Sequence, residues 1–248
     1  MAIFLISVPA FLISTYCITS IYRSFSKTGS LAWLVPWVCI YAAQSTYVVR
    51  YEQSWMYPYD FTALAFFAAG LWMIRRRNFF LFSVIFLVGT LNRETMLFLL
   101  PVLAVELYSG ISGTEQMLTR FSVPALFTIL LAALWFGTTL LIKHHFHGVR
   151  SEENSHLTNN IQFLRHIQDW PELASTCGFL WFIPLLFWSK INHLRLRMYI
   201  LALMLPWVCV MFVYGMIAEA RIYGELIALL VPTAVVLFEE LELASVPN

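Results

Sequence analysis

The chain has 248 residues, of which 60% are hydrophobic and 12% charged, against about 25% charged in an ordinary soluble domain. Net charge is +1 at pH 7 and mean hydropathy is +0.75. So few charges cannot cover so much apolar surface in water, which excludes a soluble globular domain, a disordered chain and a basic nucleic-acid binder.

Apolar runs occur at 1–20, 31–49, 59–74, 79–91, 95–108, 121–142, 173–189, 198–217 and 223–238. A straight crossing takes about 20 residues, so several runs are short. The pattern predicts an all-α fold, a polytopic transmembrane helical bundle of about nine spans, in one domain covering residues 1–248. Cys17, Cys39, Cys177 and Cys209 all fall inside apolar runs without CxxC spacing, which is the pattern of small buried hydrophobes.

Basic loops set the orientation. Arg23–Lys27, Arg75-Arg76-Arg77 and Lys190–Arg197 carry the excess of Lys and Arg expected of cytoplasmic loops. An even number of crossings must then separate the second loop from the third. Runs 121–142 and 173–189 supply two, so the 79–108 stretch contributes two or none. A hairpin turning at Asn92-Arg93-Glu94 satisfies this, as does a re-entrant segment. The same parity puts Met1 outside and the acidic stretch Glu239-Glu240-Leu241-Glu242 inside. No positive residue precedes the first span, so a further span and an outer loop are expected upstream of Met1.

The longest polar stretch is 143–172. Within it Leu157, Ile161, Leu164 and Ile167 recur at helical spacing, which predicts a short amphipathic helix lying on the outer interface. Trp55, Tyr57 and Tyr59 suit interfacial anchors.

Ionisable groups near hydrocarbon are costly and mark functional positions. Parity brings four sets to the outer side: Arg50, Glu52 and Asp60; Arg93 and Glu94; Lys143 with His144, His145 and His147; Glu219 and Arg221. Arg93, Arg221 and Arg50 suit bidentate grip on a phosphate. Glu94, Glu52 and Asp60 are the candidate acid–base carboxylates, although Asp60 opens a helix and suits N-capping equally. Asn92 and Glu219 stand as supporting residues. The histidines lack shared-face spacing, so the pattern predicts no histidine metal site. The absence of Walker, GxSxG and GxGxxG patterns leaves nucleotide hydrolysis and serine-hydrolase chemistry without support.

Tyr57-Pro58-Tyr59-Asp60, then Arg75-Arg76-Arg77, then Gly89-Thr90-Leu91-Asn92-Arg93-Glu94-Thr95, and finally Glu219-Ala220-Arg221-Ile222-Tyr223 resemble bacterial multi-span proteins of the GT-C type, over roughly 57–230. The resemblance implies a membrane glycosyltransferase in the inner membrane with an outward-facing site and a polyprenyl-phosphate-linked sugar as donor. It implies that Arg93 and Arg221 bind the donor phosphate and that Glu94 or Glu52 is the acid–base group, with a divalent metal ion as an optional cofactor. The paired acidic motif of a first outer loop, usual in such enzymes, is not present in this sequence. Two other classes fit the same charges: a transporter or flippase of an anionic or lipid-linked substrate, and a non-catalytic membrane subunit.

Overall fold

The computed structural model describes residues 2–48, 58–109, 117–146 and 155–245. Among these the regular structure is helical throughout, with no strand. The α-helices are α1 (Ala2–Phe25), α2 (Leu34–Ala43), α3 (Pro58–Arg75), α4 (Phe79–Asn92), α5 (Leu99–Tyr108), α6 (Met117–His145), α7 (Leu157–Arg165), α8 (Trp170–Ala174), α9 (Phe182–Leu186), α10 (Leu194–Tyr214) and α11 (Ile227–Ser245). Short 3-10 stretches lead into α5 (Glu94–Phe98) and α11 (Ala220–Leu226), and α2 runs on as a π-helical turn over Gln44–Val48.

The nine apolar runs do not become nine membrane-length helices. Among the described residues, three segments are long and apolar enough to cross a membrane: Phe4–Phe25, Ser122–His145 and Leu194–Tyr214. The other runs are shorter or broken. Run 173–189 is interrupted where Cys177, Gly178 and Phe179 take φ of 52°, 62° and 64°. The reason is a close approach. A Cβ on Gly178 would lie 2.4 Å from the Tyr41 ring, so the chain passes α2 only as a glycine in the left-handed region.

The reversal expected at Asn92-Arg93-Glu94 within 79–108 is present as a helix, a turn and a helix, though neither helix is of membrane length. Asn78 caps α4 by accepting a hydrogen bond from the Leu81 backbone N–H. The helix ends at Asn92, Arg93 is extended (φ −159°), and the chain returns through the 3-10 turn into α5. Its open end is closed by Arg77, whose Nε donates to Glu106 Oε1 at 2.7 Å. The hairpin packs on α3 through α4 and on α10 through α5, and α6 covers its outer side. Trp207 of α10 lies at the centre, fully buried, with Phe98 at 4.5 Å and Phe67 edge-on at 5.9 Å. Each such ring pair contributes about 0.5–1.5 kcal/mol beyond area burial.

Several hydroxyl groups inside the apolar helices are satisfied locally, whereas Ser7 Oγ of α1 and Thr139 Oγ1 of α6 are buried without a hydrogen-bond partner among the described residues. Ser14, Thr15, Thr19 and Ser20 of α1 each donate to the carbonyl four residues earlier, which lets a hydroxyl sit in an apolar helix without an orphan donor. Several apolar side chains of α6 face outward, Val123, Leu126, Ile129 and Leu141 among them, whereas Leu131 and Thr139 are buried and Phe127, Ala132 and Trp135 pack against the core.

The bundle thus has two polar ends. Asp60 at the start of α3, Arg93 at the end of α4 and Glu225 before α11 meet at one end. Arg75 at the end of α3, Glu106 near the end of α5 and Arg195 at the start of α10 meet at the other. The three basic loops gather at this second end: Arg75 bonds Ser24, and Arg77 and Arg195 both face Glu106.

The helix expected around Leu157 is α7. Leu157, Ile161 and Leu164 are at least partly open and Ile167 beyond it is 74% exposed, while Asn160 is buried. Asn160 holds the segment to the end of α10, donating to the Phe212 and Gly215 carbonyls and accepting from the Ile217 N–H.

Candidate functional site

Arg93 is the centre of the first end. Its Nη1 lies 3.2 Å from Asp60 Oδ1 and 3.1 Å from Glu225 Oε1. Both acids are fully buried. Thr95 Oγ1 donates to the same Glu225 oxygen at 2.9 Å. The extended backbone at Arg93 produces this arrangement, because it ends α4 and turns the side chain inward between α3 and the segment before α11.

Asn92 locks the turn from the other side. Its Oδ1 accepts from Thr62 Oγ1 at 2.9 Å, and its Nδ2 donates to the Tyr59 carbonyl at 3.2 Å. Tyr59 continues the chain of contacts, since its hydroxyl accepts from Arg221 Nη1 at 2.8 Å. Arg221 is ion-paired with Glu219. Asp60, Arg93, Asn92, Glu219 and Arg221, drawn from three separate sequence motifs, therefore form one connected polar group. Arg50 and Glu52 lie outside the described residues, as do Trp55, Tyr57, His147, Glu152 and Glu153.

Glu94 stands apart from that group. Its side chain is exposed, and its carbonyl accepts from Trp135 Nε1 of α6 at 2.9 Å. It lines a cavity of about 590 Å³ together with Arg93, Thr95, Trp135, Lys143 and Tyr214, against an apolar wall that includes Phe98 and Met211. A second cavity, about 230 Å³ and almost wholly apolar, lies between α7, α8 and α10, with Cys177, Trp181 and Tyr223 in its lining. Met211 borders both cavities.

Geometry alters some roles expected from the motifs. Asp60 is buried against Arg93 and does not reach either cavity lining. Arg93 is engaged by two acids, yet it still borders the larger cavity. Lys143, expected on the same side as Arg93 and Glu94 but given no role there, joins them in this lining. Glu225 and Tyr47 were missed altogether. Glu225 sits inside an apolar run, and an acid in that context is itself the signal. Tyr47 is fully buried against Gly224, where a Cβ would meet its hydroxyl at 1.6 Å.

The Asp60 and Glu225 carboxylates do not fit a divalent ion. The guanidinium already bridges their inner oxygens, and a cation at that spot would face the Arg93 charge. Among the described residues no group of three or more His, Cys, Asp or Glu side chains could hold a metal.

No family model, no curated protein and no solved structure matches this chain.

Proposed function

We propose that the chain is a multi-pass membrane protein, with the Arg93 end outward and the Glu106 end cytoplasmic, and that it transfers a sugar from a polyprenyl-phosphate-linked donor at the outer face. In this reading the shorter helices also cross or dip into the bilayer, and the outward apolar faces of α1, α6 and α10 meet lipid. The observation that carries the proposal is Glu94 in a cavity with Arg93 and Lys143 on one side and an apolar wall on the other. That combination suits a lipid-linked anionic donor.

The chemistry follows from these positions. The Glu94 carboxylate takes the proton from an acceptor hydroxyl. The hydroxyl oxygen then bonds to the anomeric carbon, and the bond to the lipid phosphate oxygen breaks with its electron pair. Arg93 and Lys143 stabilise the phosphate charge in a site of low dielectric. Asp60 and Glu225 act through Arg93, holding its guanidinium in place; they are positioning residues. Arg221 reaches the same group through Tyr59.

The test is transfer by purified protein in vesicles, with a panel of radiolabelled polyprenyl-phosphate hexoses. Glu94→Gln should lower transfer at least 100-fold with normal membrane insertion, and Arg93→Gln should do the same. Wild-type transfer in both variants would sink the assignment.

One observation favours a second reading. Two buried acids share one guanidinium, and Asp60 Oδ2 and Glu225 Oε2 lack hydrogen-bond partners. A transporter coupled to protons would place an exchangeable proton there. Uptake into vesicles driven by a pH gradient, without covalent product, would select this reading over the transferase.

A further inference from the structure

The opposite end of the bundle holds a second charged group, independent of the proposed transfer site. Glu106 of α5 is buried, and three arginines converge on it, two from the end of α3 and the loop after it and one from the start of α10. Arg77 Nε is 2.7 Å from Oε1, Arg195 Nη1 is 3.7 Å from the same oxygen, and Arg75 Nη1 is 4.0 Å from Oε2. Tyr199 donates its hydroxyl to Oε2 at 2.6 Å.

Charge does not balance here. One carboxylate faces three guanidinium groups, leaving an excess of two positive charges. Of the three acids near the end of α11, Glu239, Glu240 and Glu242, the first two are engaged elsewhere. Glu239 accepts from Tyr22, Ser26 and Thr28, and Glu240 accepts from the Asn192 N–H and faces His193. The arginines are held rather than splayed. Arg75 stacks on Phe25 at 4.5 Å and bonds both Ser24 Oγ and the Ser24 carbonyl. Arg77 takes a left-handed backbone (φ 57°) as the residue that closes the end of α3, where the Asn78 N–H returns to the Met73 carbonyl, and its Nε bond to Glu106 fixes the side chain.

Exposed apolar side chains lie close to these arginines in sequence. Phe80, three residues after Arg77, is 81% exposed, and Leu194, adjacent to Arg195, is 71% exposed. A phosphate bound by the guanidinium groups would therefore have open hydrocarbon on its flank.

We propose that Glu106 organises Arg75, Arg77 and Arg195 into a cradle for a phosphate group, supplied by an anionic phospholipid whose acyl chains lie along Phe80 and Leu194. Glu106 fixes the three forks in one orientation and takes up one of the three charges. The remaining donors point to an anion of the phosphate type, for which planar guanidinium groups are suited.

The test uses the full chain in detergent micelles, by native mass spectrometry and thermal unfolding. The probes are phosphatidylglycerol, phosphatidylcholine and inorganic phosphate. Half-saturation by phosphatidylglycerol should come at a concentration at least tenfold lower than for phosphatidylcholine. The double variant Arg77→Gln/Arg195→Gln should abolish that preference, and Arg77→Lys/Arg195→Lys should weaken it at least threefold while keeping the charge. Glu106→Gln separates a cradle from a plain positive patch. It raises the local positive charge, so a patch would bind the anionic lipid more tightly, whereas a cradle that has lost its organiser binds more weakly. Saturable protection by inorganic phosphate alone, lost in the double glutamine variant, would keep the phosphate site and assign it to a soluble source. Equal affinity for the two lipids with no phosphate protection would overturn the proposal. So would an unchanged lipid preference in the double glutamine variant, or tighter anionic-lipid binding by Glu106→Gln. Should Glu106→Gln fail to fold, the double glutamine variant decides.

Discussion

The two ends of the bundle are built on opposite ratios of charge. At one end a single guanidinium, Arg93, lies between two buried acids, Asp60 and Glu225. At the other a single buried acid, Glu106, lies among three arginines. Both centres place the minority charge in the middle. They differ in where the majority charge goes. Asp60 and Glu225 are fully enclosed, whereas the side chains of Arg77 and Arg195 are 46% and 42% exposed. Excess positive charge can be hydrated or meet a headgroup, but excess negative charge at the Arg93 end is sealed in protein. The first end is therefore sensitive to loss of its central residue, and the second is tolerant.

The largest expected effect tests this difference directly. Arg93→Leu strands two buried carboxylates close together and should cost about 3–5 kcal/mol, the range for removing one partner of a buried pair. Glu106→Leu strands three arginines, of which Arg77 and Arg195 are open to water and Arg75 keeps its bonds to Ser24, and should cost less, about 1–2 kcal/mol, because exposed charges rehydrate. Both are read by denaturant titration of purified protein in micelles. Equal losses would break the comparison, since they would mean that the arginines are as enclosed as the acids.

The next two effects sharpen it at the level of single contacts. Gly224→Ala at the Arg93 end places a methyl 1.6 Å from the Tyr47 hydroxyl and 2.2 Å from its ring Cζ. Tyr47 is fully buried, so it has no open space to retreat into, and the cost should be roughly 3 kcal/mol, the upper part of the overpacking range. Tyr47→Phe should not rescue the variant, because the ring carbon still clashes. At the Glu106 end, Tyr199→Phe removes one hydroxyl donor from the carboxylate. It should cost about 1.5 kcal/mol, the low end for a hydrogen bond to a charged group, since Arg77 still serves the other oxygen. A Tyr199→Phe loss larger than that of Gly224→Ala would reverse the ranking of the two ends.

How much of this was legible in the sequence varies with the kind of signal. The helix–turn–helix over 79–108 was, because the polar Asn92-Arg93-Glu94 interrupts an otherwise apolar stretch. The joining of Asp60, Arg93 and Arg221 was legible as a shared side of the bundle, though the pairings were not. The two acids that organise the ends were passed over, since Glu106 and Glu225 each sit in a run otherwise apolar and contribute little to its average hydropathy. The break in 173–189 was hidden for a different reason. It depends on Gly178 passing the Tyr41 ring, a contact between residues far apart in sequence. Periodicity carries no information about such contacts, and apolar length alone reads a broken passage as a straight one.

The smallest expected effect supplies the reference against which both ends are judged. Gly89 lies in the last turn of α4, its carbonyl accepting from the Arg93 N–H, and a Cβ there would come within 2.9 Å of Met96 Cε and Sδ. The distance is short, but the atoms are the far end of an unbranched, flexible side chain, which can rotate away. Alanine also favours a helix interior over glycine by about 0.8–1.0 kcal/mol. The two effects nearly cancel, so Gly89→Ala should leave stability within about 0.5 kcal/mol of the parent in the same titration. The contrast with Gly224→Ala isolates what the neighbour is: a methionine tip that yields, against a fully buried tyrosine ring beside the Arg93 cluster. A loss of several kcal/mol at Gly89 would mean that Met96 is as immobile as Tyr47. The rigidity assigned to the Tyr47 contact would then extend to the turn around Arg93 as a whole.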